Sequence, residues 1–200
     1  MTSAEQRICI LGAESTGKTT LAQALSSYFV CPWVPEYLRE FCQNQGRTPW
    51  RQEQEQIMKM QADAENGAAA QARQAQQVFV FCDTAPLMTA IYSEFIFADK
   101  SLLPAGRALH THYALTLLLA PDIAWVADSM QRDGAHVRAP VHQRIHDELR
   151  TLALPFALIT GLGDKRLANA LQVIESFYPS SIGQEHCTLR NGREPGCSEN

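Results

Sequence analysis

The sequence has no block of like charges, no apolar run long enough to cross a bilayer, no C-x-x-C pair and no internal repeat. Each absence excludes something. The net charge is −4 over 200 residues, and without a basic cluster neither nucleic acid nor an anionic membrane is an expected partner. A spanning helix needs about 20 apolar residues, and no stretch approaches that. Met1 to Gln6 is polar and leads straight into an apolar run, so neither a secretion signal nor an anchor is expected. The six cysteines lack zinc-ligand spacing, and two of them fall in expected strands. Reduced thiols and a cytoplasmic location are the expectation. What remains is small-molecule chemistry on a chain long enough to bury a real core.

What is present is concentrated in one stretch. Gly12-Ala-Glu-Ser-Thr-Gly-Lys-Thr19 fits G-x-x-x-x-G-K-[ST] at every fixed position, the signature of a phosphate-binding loop. With Gly near 7% of average residues, a chance match in such a chain is on the order of 1%. Arg7 to Leu11 before the loop is a buried-strand run, and Leu21, Ala24, Leu25 and Tyr28 after it share a helical face. Gly12 and Gly17 permit backbone conformations that aim amide N–H groups at phosphate oxygens. The helix N-terminus adds partial positive charge. Lys18 supplies a full charge to the β/γ-phosphates, and the Thr19 hydroxyl suits Mg²⁺. Glu14 is an anion within this loop, so it is expected to point away from the phosphates.

Downstream, Val30 to Val34 reads as an edge-like strand interrupted by Pro32, followed by Glu36-Tyr-Leu-Arg-Glu-Phe41. A helix is expected from Pro49 to about Gln77, with Ile57, Met58, Met60, Ala64 and Ala68 as its apolar stripe and Gln, Glu and Arg opposite. Val78 to Cys82 is a fully apolar strand ending at Asp83. Pro86 to Phe97 is an expected helix burying Leu87, Met88, Ile91 and Phe95, and an irregular segment follows. Ala114 to Ala120 and Pro155 to Thr160 are the remaining strands. Helices are expected from Pro140 to Leu152 and from Asp164 to Phe177. Residues 1–178 are thus read as one domain, and 179–200, which is almost without apolar residues, as a disordered tail.

The alternation implies an α/β fold: a five-stranded parallel sheet with helices on both faces. Ligands gather at the carboxyl ends of such strands, so the phosphate loop, Glu36, Asp83, the Asp128 to Arg138 loop and Gly161 to Asp164 should share one edge. Asp83 is expected to hold Mg²⁺ directly or through water. Glu36 is a candidate to accept a proton from an acceptor hydroxyl or to bind a sugar diol, against the plainer reading of a surface carboxylate paired with Arg39. Arg132, His136 and Arg138 are candidates for a lid over the phosphates.

The segments Gly12 to Leu21, Pro35 to Phe41, Phe81-Cys-Asp-Thr84, Pro121 to Asp128, Gln131-Arg-Asp-Gly134 and Leu158 to Gly161 together resemble the ribosylnicotinamide kinase domain of NadR-type proteins. The resemblance covers roughly residues 7 to 175, and the Glu14-Ser15-Thr16 loop interior is its most specific element. It implies a nucleoside-kinase-like fold that transfers the ATP γ-phosphoryl to the 5′-hydroxyl of nicotinamide riboside. Gly12, Ala13, Glu14, Ser15, Thr16, Gly17, Lys18, Thr19 and Thr20 would then hold ATP, and Thr19 and Asp83 the Mg²⁺. Glu36, Tyr37, Arg39, Asp83 and Asp128 would bind substrate. Lys18, Glu36, Asp83, Arg132 and Arg138 would carry the chemistry, with the base left open between Glu36 and Asp83. The chain departs from the family pattern at Ala85, where an acid is expected, and at Ser129, where Gly is expected. It shows no H-x-G-H adenylyltransferase signature, so only the kinase step is implied. Two alternatives stand beside this reading: a kinase for another nucleoside or nucleotide, and a P-loop ATPase acting as a regulatory switch. A GTPase is disfavoured because N-K-x-D and D-x-x-G segments are lacking. Oligomeric state is not legible.

Overall fold

In the computed structural model, residues 5–125 and 135–179 are described. Five strands, β1 (Gln6–Leu11), β2 (Trp33–Val34), β3 (Phe79–Asp83), β4 (Leu115–Leu119) and β5 (Phe156–Ile159), form one parallel sheet in the order β2-β3-β1-β4-β5. The helices are α1 (Lys18–Phe29), α2 (Tyr37–Gln45), α3 (Gln54–Gln74), α4 (Pro86–Phe97), α5 (Leu103–His110), α6 (Arg138–Leu152) and α7 (Gly163–Phe177). Among the described residues, no helix is long and apolar enough to cross a membrane.

Strand side chains alternate between two faces, and the core divides accordingly. Cys9, Leu11, Val80, Cys82 and Leu118 pack on one side with Ala72 of α3, Leu87 and Ile91 of α4, Leu103 of α5 and Ile145 of α6. Ile8, Ile10, Phe79, Phe81, Leu117 and Leu119 pack on the other with Leu21 and Leu25 of α1 and Ala170 and Ile174 of α7. Burying a side chain such as Phe81 or Leu117 is worth about 1.5–3 kcal/mol. The central strands therefore form a rigid base, and their carboxyl ends present the phosphate loop, Asp83, residues 120–122 and Gly161 along one edge.

Several expectations need correction. The run from Val30 yields only Trp33–Val34 as strand, because Val30 ends α1 in a left-handed conformation (φ 49°) and Pro32 has no N–H to pair. The segment after Glu36 is a nine-residue helix, α2, that had not been anticipated. The expected irregular stretch after Phe97 contains α5. On α1 the buried residues are Leu21, Ala22 and Leu25, and Tyr28 is exposed. Phe95 of α4 is 41% exposed. On α3 Ala64 faces outward, and the buried line runs through Ile57, Met58, Gln61, Ala62, Glu65, Ala69 and Ala72. That line admits two polar residues because each has hydrogen-bond partners inside. The Asp128 and Arg132 assignments, the Ser129 departure and the 180–200 part of the tail lie outside the described residues.

Candidate active site

The phosphate loop is built by β1 and α1. Gly17 has a left-handed backbone (φ 81°), as does Ser15 (φ 56°). A side chain at Gly12 would come within 2.7 Å of Thr16 Oγ1 and 3.2 Å of the Leu119 carbonyl oxygen, so the close approach requires glycine. Thr16 Oγ1 donates to the Ala13 carbonyl at 2.8 Å and Lys18 Nζ donates to the same carbonyl at 3.2 Å. Glu14 is buried. Thr20 is exposed on the first turn of α1.

The first turn of α1 meets the end of β3 through a hydrogen bond. Thr19 Oγ1 donates to Asp83 Oδ2 at 2.5 Å, joining the two residues expected to share a metal. Asp83 is 1% exposed, and its Oδ1 has no hydrogen-bond partner among the described residues. Burial raises the Asp83 pKa above the usual carboxylate value, while the Thr19 hydroxyl, Lys18 and Arg39 pull it back. A buried carboxylate oxygen without a donor, beside a hydroxyl and a lysine, fits a divalent cation.

Glu36 stands at the start of α2, half-buried, and its side chain makes no capping bond. Burial pushes its pKa up and Asp83 raises it further, while Lys18, Arg39 and a hydrogen bond from the Thr84 side chain lower it. It therefore belongs to the same electrostatic cluster as the phosphate loop and β3. Tyr37 is half-buried beside it and Arg39 is exposed. Thr84, immediately after Asp83, has φ 73°, a genuine outlier for a β-branched residue. Its amide donates to the Ile10 carbonyl at 3.1 Å, and its buried hydroxyl lies beside the Glu36 carboxylate.

Arg138 differs from the expected open lid. It is buried at the start of α6, donating Nη1 to the Ile123 carbonyl at 3.0 Å and Nη2 to the Ser15 carbonyl at 3.2 Å. It holds the backbone of the phosphate loop, and His136 beside it is exposed. Sequence reasoning missed a second such residue. Arg166 donates to the carbonyls of Thr16 and Ala120 (3.3 Å for the latter) and pairs with Asp122. A signal was present, because Arg166 falls in step with buried Ala170 and Ile174 on α7. A charge on an apolar stripe needs buried partners.

Beside the loop, Gly17, Thr20, Leu21, Ile123, Leu162 and Gly163 line an apolar cleft of about 360 Å³. The arrangement can cradle a triphosphate, hold a divalent cation at Thr19 and Asp83, seat a planar ring in the cleft and offer Glu36 as a proton acceptor.

A family model described as an AAA domain matches residues 7–166. No curated protein sequence matches the chain. Among solved structures, the NadR protein in complex with NR superimposes with a TM-score of 0.74 at 20% identity, over 88% of this chain and 52% of that one. This chain thus spans about half the length of the NadR chains it matches. Thymidylate kinase from Ehrlichia chaffeensis follows with a TM-score of 0.59 at 16% identity, over 87% and 99% of the two chains. Deoxyadenosine kinase from M. mycoides with bound dATP has a TM-score of 0.53 at 12% identity, over 86% and 100%. At these identities the likeness is one of fold. The family match covers most of the chain: it belongs to the AAA domain family and has the fold of the P-loop kinases.

Proposed function

We propose that the protein is an ATP-dependent kinase of small molecules that phosphorylates the 5′-hydroxyl of a nucleoside, with nicotinamide riboside as the acceptor and nicotinamide mononucleotide as the product. The observation that carries this reading is the 2.5 Å bond between Thr19 and Asp83, which brings the loop hydroxyl and the strand-end acid together beside Lys18 and Glu36. Residues 12–20 hold the triphosphate, and the cleft lined by Ile123 and Leu162 takes the adenine. Thr19 and Asp83 would hold Mg²⁺, which when bound neutralises charge on the phosphate oxygens.

The acceptor hydroxyl oxygen bonds to the γ-phosphorus as the bond from that phosphorus to the β–γ bridging oxygen breaks, and ADP leaves. The hydroxyl proton passes to Glu36. Glu36 fits this role better than Asp83, because Asp83 is already engaged by Thr19 at the cation position while Glu36 makes no capping bond. Lys18 stabilises charge on the transferring group. Arg138 and Arg166 keep the loop amides in place, and that fixed positioning is the larger part of such catalysis. Tyr37, Arg39 and Asp128 complete the acceptor side, and Arg132 the charge over the phosphates. The kinase unit comprises residues 1–178, with 179–200 as an appended tail, and the protein acts in the cytoplasm.

The test is incubation with ATP, Mg²⁺ and a panel of nucleosides and nucleotides that includes nicotinamide riboside, read by product mass. Formation of nicotinamide mononucleotide at the highest kcat/KM supports the proposal. A preferred acceptor of another kind keeps the kinase and replaces the substrate, a reading the Ala85 departure favours. ATP turnover without any phosphorylated acceptor overturns both in favour of an ATPase.

A further inference from the structure

Glu36 is placed by very little sheet. Its strand, β2, is a two-residue edge strand paired with β3 through Trp33 and Val34, with one further bond from the Phe81 amide to the Pro32 carbonyl, so the first turn of α2 relies on another element. That element is α3. Gln61, 3% exposed on the buried line of α3, accepts the Tyr37 amide with Oε1 at 2.8 Å. Its Nε2 donates to Glu65 Oε1 at 2.9 Å, and Tyr113 donates its hydroxyl to Glu65 Oε2 at 2.6 Å.

The chain has one direction. A backbone amide only donates, so Gln61 must turn its oxygen to Tyr37 and its amino group to Glu65, which must accept. Residues at the start of a helix commonly use a side-chain oxygen to cap its free amides. Here the first free amide of α2, that of Tyr37, is satisfied from α3, and the Glu36 side chain makes no capping bond to the amides that follow. Filling two core positions with Gln61 and Glu65 carries a desolvation cost that apolar residues would avoid, and the geometry gives that choice a purpose.

We infer that Gln61, held by Glu65 and Tyr113, is a positioning residue that anchors the first turn of α2 and thereby fixes the backbone from which the Glu36 carboxylate faces the phosphoryl acceptor. The inference rests on the reading of Glu36 as the proton acceptor. It adds a specific line of residues from the far side of α3 to the site, none of which touches substrate.

The test compares wild type with Gln61→Met, which removes the acceptor at similar length, and Gln61→Glu, which retains an oxygen for Tyr37 with a proton shared between the two carboxyls. The readouts are the ¹³C carboxyl resonance of Glu36, identified by its loss in Glu36→Gln, hydrogen exchange of the Tyr37 amide, and steady-state kinetics. In Gln61→Met the Glu36 resonance shifts and Tyr37 exchange accelerates. In the same variant kcat falls about 10- to 100-fold with KM for ATP unchanged, and Gln61→Glu restores most of the loss. In a Glu36→Gln background, Gln61→Met costs little more. An unmoved Glu36 resonance and unchanged Tyr37 exchange in Gln61→Met overturn the inference. Should that variant fail to fold, Tyr113→Phe, which removes only the distal hydroxyl, is read by the same signals. Full activity of Glu36→Gln would refute the proton-acceptor role alone, and the resonance and exchange would still decide whether Gln61 positions that side chain.

Discussion

Thr19 and Asp83, 64 positions apart in sequence, share a 2.5 Å hydrogen bond that ties the first turn of α1 to the end of β3. Asp83 is almost fully buried with a raised pKa caused chiefly by desolvation, so its charge costs folding free energy that the site retains. Asp83→Asn is expected to lower kcat by about 100-fold or more, the scale of losing one preorganised electrostatic group. Its thermal midpoint should be equal to or above that of wild type. Differential scanning calorimetry beside single-turnover kinetics checks the pair. Loss of activity with a large drop in midpoint would instead make Asp83 a structural residue.

A second buried arrangement governs the pH dependence of stability. Tyr113 donates to Glu65 and packs its ring 4.9 Å from that of His110. Burial raises Glu65 from 4.5 to about 7 and lowers His110 from 6.5 to about 4. Between pH 4.5 and 7 the folded chain holds the Glu65 proton that the unfolded chain has lost, so this group's contribution to stability falls as pH rises. Between pH 4 and 6.5 the unfolded chain protonates His110 and the folded chain does not, so that contribution rises with pH. Each is worth about 3 kcal/mol across its window, and from pH 4.5 to 6.5 they oppose one another. Urea unfolding of Glu65→Gln should therefore show stability rising more steeply with pH over that window than wild type. His110→Asn should show it falling.

Arg166 reaches two loop carbonyls and Asp122. Replacing it with Met removes the charged donor from these acceptors, leaving Asp122 with the Gly161 amide, and is expected to cost about 2 kcal/mol, as for hydrogen bonds to a charged group. Affinity for a non-hydrolysable ATP analogue should fall as the Thr16 carbonyl loses its anchor. Arg166→Lys should not restore it, since one ammonium cannot reproduce the guanidinium fork. Chemical unfolding with calorimetric titration of the analogue checks both parts.

How far the sequence disclosed this architecture depends on where the information lies. β1, the phosphate loop and α1 were legible because an apolar run, two glycines with defined backbone tasks and a lysine stand adjacent. β3 and β4 were legible as uninterrupted apolar runs. α2 was not, since it buries only Cys42 among its nine residues and its anchoring comes from α3, 24 positions away. Gln61 and Glu65 read as a solvated face because composition does not reveal that their partners are Tyr37 and Tyr113. Arg138 was placed over the phosphates by its charge, whereas its fork is spent on the backbone beneath them. Local patterns reported the sheet and the loop, and the residues that hold the loop rigid were visible only once distant segments met.

Thr84 gives the last test. A β-branched side chain at φ 73° carries about 1–2 kcal/mol of strain, and such strain persists where surrounding structure enforces it, commonly at functional sites. Its hydroxyl follows Asp83, is buried, and lies beside the Glu36 carboxylate, whose ionised form it favours. If the strain serves to present that hydroxyl, Thr84→Ser should keep kcat within about twofold. Thr84→Gly, which accepts the same backbone without penalty, should fold as stably as wild type yet lose about tenfold in kcat, the loss of a hydrogen bond worth about 1.4 kcal/mol at the transition state. Measuring kcat and unfolding free energy on both variants separates the two contributions. An undiminished kcat in Thr84→Gly would assign the left-handed turn to the folding of the β3–α4 connection alone.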